Sequence, residues 1–190
     1  MHVDRRKLIV EAAAKSFALF GYKATTMDQV AKIANVGKGT IYTFFATKEE
    51  LFEEIMTTLV EELRALAERN VDRNKPFSYN VNRVLFALLD YRRNHELIVR
   101  LSHELQDMGT IAAREGLQKI EEAIQVFVTA EVRHAMEQGQ IRACDPEATA
   151  FAMVKLYVAF VHDWEKSHPP LDKEEIAGLF ELYFIRGLAL

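Results

Sequence analysis

Between residues 38 and 48 the chain carries side chains suited to close approach and to hydrogen bonding with an anion: Lys38, Gly39, Thr40, Thr43 and Lys48. Ile41 and Phe45, at i and i+4, share the buried face of a short helix. Gly39, Thr40 and Thr43 then point the other way, and small or hydroxylic residues there leave a surface that another molecule can approach closely. Lys48 falls in the first turn of a further helix opened by Thr47, whose spacing from Glu50 is that of a capping box. A cation beside a helix N-terminus works against the helix dipole. A phosphate at that place would be received by both Lys48 and the free backbone N–H groups.

Other chemistries find no support in the spacing. His95, His103, His134 and His162 occur in the body of the chain, but in neither an HxxxH nor an HExxH arrangement, so no metal site is expected. There is no Ser-His-Asp signature, GxSxG elbow or GxGxxG motif. Gly37-Lys38-Gly39-Thr40 superficially looks like a phosphate loop, yet it lacks the upstream glycine and the preceding strand. No cofactor and no enzymatic activity are expected.

The elements that must position the 38–48 residues are short helices. Met27, Val30, Ala31 and Ala34 form an apolar stripe at i, i+3, i+4 and i+7, and Thr26 with Gln29 is a capping box that fixes where this helix starts. Asn35 follows the stripe and tolerates the left-handed conformation that ends a helix abruptly. Val36, Gly37 and Lys38 then lead directly into the second helix. Two crossed helices joined by a three-residue turn make a helix-turn-helix, whose second helix can lie in a DNA major groove.

The run from Leu8 to Leu51, with Phe17, Gly21, Thr25-Thr26, Ala31, Ala34, Val36, Gly39-Thr40-Ile41-Tyr42, Phe45 and Lys48, resembles the DNA-binding domain of the TetR family of one-component bacterial repressors. Two positions depart from the family's pattern: Asn35 stands where Gly is usual, and Gly37 where Ser or Thr usually caps the recognition helix. The resemblance implies that Lys38, Gly39, Thr40 and Thr43 face base edges, while Thr25, Thr26, Tyr42 and Lys48 hold phosphates. It also implies a homodimer.

At 49% hydrophobic and 27% charged, the chain has the composition of an ordinary globular protein rather than a disordered one. Its single cysteine, Cys144, excludes an internal disulfide framework. No signal peptide is apparent, and the longest apolar run, interrupted by Lys155, is too short to cross a bilayer. A cytoplasmic protein without a membrane partner is expected. The net charge of −4 conceals an asymmetry: residues 1–48 hold eight Lys or Arg against three acids, leaving 16 basic and 25 acidic residues in the remainder. A basic head on an acidic body suits a protein that meets a polyanion at one end.

In chain order, the first helix is predicted over 4–20, capped by Asp4 and stopped at Gly21-Tyr22, with Arg5 and Arg6 at its start as a basic arm. The helix opened by Thr47 runs to about Val71. No strand-like alternation follows. Further helices are expected at about 76–94, 96–107, 110–138, 146–167 and 173–188, giving an all-α fold with a DNA-binding domain at 1–48 and a ligand-binding and dimerisation domain at 49–190. Helices 146–167 and 173–188 are apolar around nearly their whole circumference and so need neighbours on every side. A second copy supplies them most simply, as a four-helix interface.

A pocket between the body helices is expected because the family usually has one. Its proposed lining is Phe86, Leu89, Tyr91, Leu101, Leu105, Ile120, Phe127, Met153, Tyr157 and Phe160, with His103, Glu104 and His134 as polar anchors. The function these readings support is a homodimeric repressor, released from a palindromic operator by a small apolar or amphipathic ligand. The alternative is a carrier of apolar ligands, or a dimerising scaffold, with a non-functional head.

Overall fold

The computed structural model describes residues 4–189. Its helices are α1 (Arg5–Ala24), α2 (Met27–Ile33), α3 (Lys38–Tyr42), α4 (Lys48–Arg69), α5 (Phe77–Asn94), α6 (Glu96–Met108), α7 (Ile111–Glu137), α8 from Pro146–Val158 and α9 from Lys173–Phe180. No strand occurs among the described residues, as the sequence pattern predicts. Local signals set many of the boundaries. Asp4 accepts from the Lys7 N–H, and Asp145 accepts from the N–H groups of Glu147 and Ala148 around the N1 proline. Thr26 with Gln29 and Asp172 with Glu175 form complete capping boxes.

Two helices run on through irregular turns. A π turn (Ala159–Asp163) and a 3₁₀ turn (Trp164–Lys166) follow α8, and a π turn (Glu181–Ile185) and one α turn (Arg186–Leu188) follow α9. Buried residues in and beyond α9 are Ile176, Phe180 and Ile185. The five-residue step from Phe180 to Ile185 is one that a π turn can hold on a single face, where a regular helix would rotate it away.

The chain forms two compact units, Met1–Glu61 with Arg92–Ile120, and Glu62–Tyr91 with Glu121–Leu190. This differs from an expected boundary at residue 48, because α6 and the first turns of α7 belong with the N-terminal helices. The first unit buries Ile9, Phe17, Val30, Ile41, Leu51 and Met56 together with Leu97, Ile98 and Leu101 of α6. The second has a core of Phe77, Leu85, Leu89, Val132, Met153, Val161, Ile176 and Phe180. Both α4 and α7 contribute residues to each unit.

Candidate nucleic-acid interface and ligand cavity

In the first unit, α2 stops as its sequence dictates. Asn35 sits at φ 52, the Val36 N–H reaches the Ala31 carbonyl at 3.0 Å, and the Asn35 N–H reaches that of Lys32 at 3.2 Å. These two bonds are a Schellman motif, which fixes the direction in which the chain leaves α2. Three residues later α3 begins at Lys38, capped by Gly37 with no side-chain hydrogen bond. Ile41 and Phe45 are buried, anchoring α3, while Lys38, Gly39, Tyr42 and Thr43 are exposed and Thr40 is half-buried. A Cβ added at Gly39 would meet no protein atom within 4 Å, so this backbone is open to a partner.

Several of these side chains already have partners. The Thr43 hydroxyl donates to the Thr40 carbonyl at 2.7 Å, and the Lys38 ammonium lies 2.8 Å from Asp28 at the start of α2. The hydrogen bond to Asp28 raises the Lys38 pKa, keeping it a cation. Thr26 is exposed, with its hydroxyl accepting from the Gln29 N–H. Arg6 binds Glu54 and lies over the Phe45 ring, so the basic arm is folded back onto the unit.

Thr25 and Lys48 differ from the sequence reading. Thr25 is 1% exposed; its hydroxyl donates to the Gly21 carbonyl at 2.8 Å and meets the Ser16 hydroxyl at 3.2 Å, so it is turned away from any phosphate. The Lys48 ammonium donates to the carbonyls of Tyr22 and Thr25 at 3.0 and 3.1 Å and lies 4.2 Å from the Tyr22 ring centre. It therefore joins the start of α4 to the end of α1, leaving one of its three N–H donors for an outside anion.

A kink in α1 organises this junction. Gly21 stands at φ 81, and next to it the Glu104 carboxylate of α6, only 4% exposed, accepts from the N–H groups of Tyr22 (2.7 Å) and Lys23 (3.3 Å) and from the Thr110 hydroxyl (2.7 Å). Arg100 donates to the Phe20 carbonyl nearby. The Tyr22 hydroxyl donates to Glu49 at 2.6 Å; burial and this bond push the phenol's pKa up, and the same bond holds the Glu49 carboxylate below its ordinary value. Glu104, expected as a polar pocket anchor, instead holds the last turn of α1.

The second unit contains an apolar cavity of about 70 Å³ among α5, α7, α8 and α9. Phe127, Met153 and Tyr157 of the expected lining are there. The rest of the wall is Val71, Phe77, Asn80, Val81, Val84, Leu85, Leu88, Ile124, Val128, Glu131, Val154 and Phe180. The apolar α5 members recur at i, i+4, i+7, i+8 and i+11 from Phe77, with Asn80 at i+3, a stripe that marks the inward face and is legible in the sequence.

The other expected lining residues lie elsewhere. Phe86 projects from the opposite side of α5 into a shallow recess with Tyr79 and Arg83. Leu89 belongs to the core, Phe160 packs against that core, and Tyr91 donates its hydroxyl to Glu62 at 2.7 Å. Leu101, Leu105, His103 and Ile120 are in the first unit: Leu101 and Ile120 are buried, Leu105 is half-buried, and His103 is exposed. Alternation along α6 cannot place Leu101, His103 and Leu105 on one face, since residues two apart diverge on a helix. His134 lines a small polar recess bordering the cavity. Among the described residues no group of three His, Cys, Asp or Glu is placed to hold a metal ion, and no helix is long and apolar enough to cross a membrane.

Comparison with known proteins agrees with this geometry. Residues 9–55 match the profile described as bacterial regulatory proteins, tetR family. The HTH-type transcriptional regulator YhgD of Bacillus subtilis (strain 168) is 54% identical over 189 residues, an alignment covering 100% of this chain and 99% of that protein. Among solved structures, Thermus thermophilus FadR, a TetR-family repressor in complex with lauroyl-CoA, superimposes with a TM-score of 0.68 at 21% identity, covering 97% of this chain and 95% of that one. SmeT, the repressor of the Stenotrophomonas maltophilia multidrug efflux pump SmeDEF, gives 0.74 at 18% identity, covering 97% and 90%.

Proposed function

Because the chain belongs to the TetR family of helix-turn-helix transcriptional regulators, we propose that it acts as a homodimeric repressor, released from a palindromic operator by a small apolar or amphipathic ligand. The observation that carries this reading is the exposed face of α3, held by a Schellman turn and a buried Ile41, with an open backbone at Gly39. Lys38, Gly39, Thr40 and Thr43 face base edges in this reading. Thr26, Tyr42 and the remaining N–H of Lys48 hold phosphates in this reading, while Thr25, whose N–H and hydroxyl both donate to the Gly21 carbonyl, only positions Lys48. On meeting DNA, Lys38 exchanges Asp28 for the nucleic acid.

The dimer reading draws support from Phe151 on α8 and Leu182 and Tyr183 in the π turn after α9, which are large apolar residues left exposed. Two recognition helices so paired would lie about 34 Å apart, or a multiple, to reach two half-sites. The ligand reading draws support from the cavity and from FadR, a protein of this fold in complex with lauroyl-CoA. At about 70 Å³ the cavity is well short of the roughly 300 Å³ at which ligand pockets begin, so a guest must spread its walls. Displacement of α5, α7 and α8 would then act on the DNA-reading helices through α4 and α7, and a few ångströms of mis-spacing removes the avidity of two-site binding.

The test is selection of bound duplexes from a random pool, followed by mobility shift at low and moderate salt. A repressor selects inverted repeats and loses affinity steeply with salt. Failure to enrich any sequence would favour a carrier or scaffold with a non-functional head.

A further inference from the structure

The cavity is not closed by apolar residues on every side. Asn80 and Glu131 complete its wall, and these two with Phe77 also line an adjoining polar recess that contains Arg73, Lys75 and His134. An apolar volume and a cationic recess thus share one wall. In that wall Arg73 grips the Glu131 carboxylate with two parallel bonds, at 2.6 and 2.7 Å. The Arg73 side chain is 55% exposed and that of Glu131 only 16%, so the guanidinium stands at the mouth with the carboxylate behind it. The Asn80 amide binds both the N–H and the carbonyl of Asp72, at 2.8 and 3.0 Å, so the backbone that presents Arg73 is fixed in advance.

We propose that the ligand of this cavity is a straight-chain carboxylate, with its alkyl chain between α5, α7 and α8 and its head on Arg73 and Lys75, where it competes with Glu131. This rests on the ligand-cavity reading above and names the class of guest. The apolar side chains that make up most of the cavity wall offer nothing to a charge, and a charge buried against them without a partner is costly. A planar guanidinium takes a carboxylate in two-point fashion, and Glu131 already occupies it in the way a ligand head would. Arg73 and Lys75 outnumber Glu131 in the recess, so one further anion brings these three groups and the guest to charge balance. Met153, flexible and polarizable, lies in the wall that must yield as the chain enters.

The experiment is calorimetric titration of the full chain, without DNA, using decanoate and the uncharged 1-decanol. The wild type is expected to bind decanoate roughly tenfold tighter than decanol, because the head exchanges with Glu131 on Arg73 and the contact with Lys75 is the net gain. Arg73→Gln should remove that preference while leaving decanol affinity as it was. Glu131→Gln should act in the opposite direction, tightening decanoate severalfold because the competing anion is gone. Equal binding of the two guests by the wild type, or a preference that both variants retain, overturns the head-group assignment and leaves the cavity standing. If neither guest binds, the cavity reading falls and takes this inference with it.

Discussion

At Gly39 the protein and its proposed partner make opposite demands, which makes the position informative. No protein atom lies within 4 Å of a Cβ built there. Gly39→Glu should therefore leave the melting temperature within about 1–2 °C of wild type, as for most surface changes. On DNA the new carboxylate faces a polyanion, and like-charge juxtaposition costs several kcal/mol, so operator affinity should fall by at least about a hundredfold. An unchanged mobility shift would remove α3 from the interface. Tyr22 offers a prediction in pH. Its hydroxyl depresses the Glu49 pKa, so the bond contributes stability above the carboxylate's ordinary value of 4.5 and loses it as pH falls through the depressed value. Tyr22→Phe keeps the ring contacts with Phe17 and Phe52 but removes this bond. Glu49 is largely exposed, so the loss at neutral pH should be only about 0.2–1 kcal/mol, a drop of roughly 1–3 °C. Melting curves at neutral and strongly acidic pH should show the gap narrowing in acid.

Between elements, the junction of α1 and α6 carries the sharpest stability prediction. A Cβ at Gly21 would stand 2.4 Å from the Glu104 carboxylate, at a φ that L-residues rarely adopt. Gly139 shares the positive φ but has nothing within 4 Å. Gly139→Ala should then cost only the backbone term, about 1 kcal/mol, whereas Gly21→Ala adds the displacement of a buried, hydrogen-bonded carboxylate, for about 2–4 kcal/mol in all. Equal losses in thermal unfolding would show that Glu104 does not brace the end of α1. The same junction explains what the sequence could and could not reveal. Caps, the Asn35 stop and the apolar stripes are local, so helix bounds were legible to within a few residues. The Glu104 bond to Tyr22 spans 82 positions, and the inward turn of Thr25 depends on Ser16 and the Gly21 kink. No periodicity encodes such contacts, so the sequence pattern neither groups α6 with the N-terminal helices nor keeps Leu101, His103, Glu104 and Leu105 out of the expected pocket. In α5 the cavity-lining stripe is visible in the sequence, whereas Phe86, aromatic but off that stripe, lies on the other side.

Over the whole molecule, the uneven distribution of charge and of exposed apolar residues bears on assembly. Eight basic residues against three acids in positions 1–48 give that segment attraction for DNA despite a net charge of −4. One such head makes few phosphate contacts, so specific binding depends on joining two. Leu182 and Tyr183, 49% and 59% exposed, lie in the last turns of the chain, and Phe151 on α8 is 50% exposed. Converting Leu182 and Tyr183 together to Asp places two charges where the proposed four-helix interface would exclude water, at a cost of several kcal/mol to association. Sedimentation should then give the mass of one chain, 21.8 kDa, where the wild type gives twice that. Operator affinity should fall by about 10²–10⁴, because the second half-site loses its raised effective concentration, while binding to an isolated half-site stays at the wild-type level. Phe151→Asp provides a milder second variant with the same direction of effect if the double change prevents folding. A wild-type protein that sediments as a single chain, or a double variant that keeps the wild-type mass, would show that these exposed residues serve some purpose other than pairing two copies.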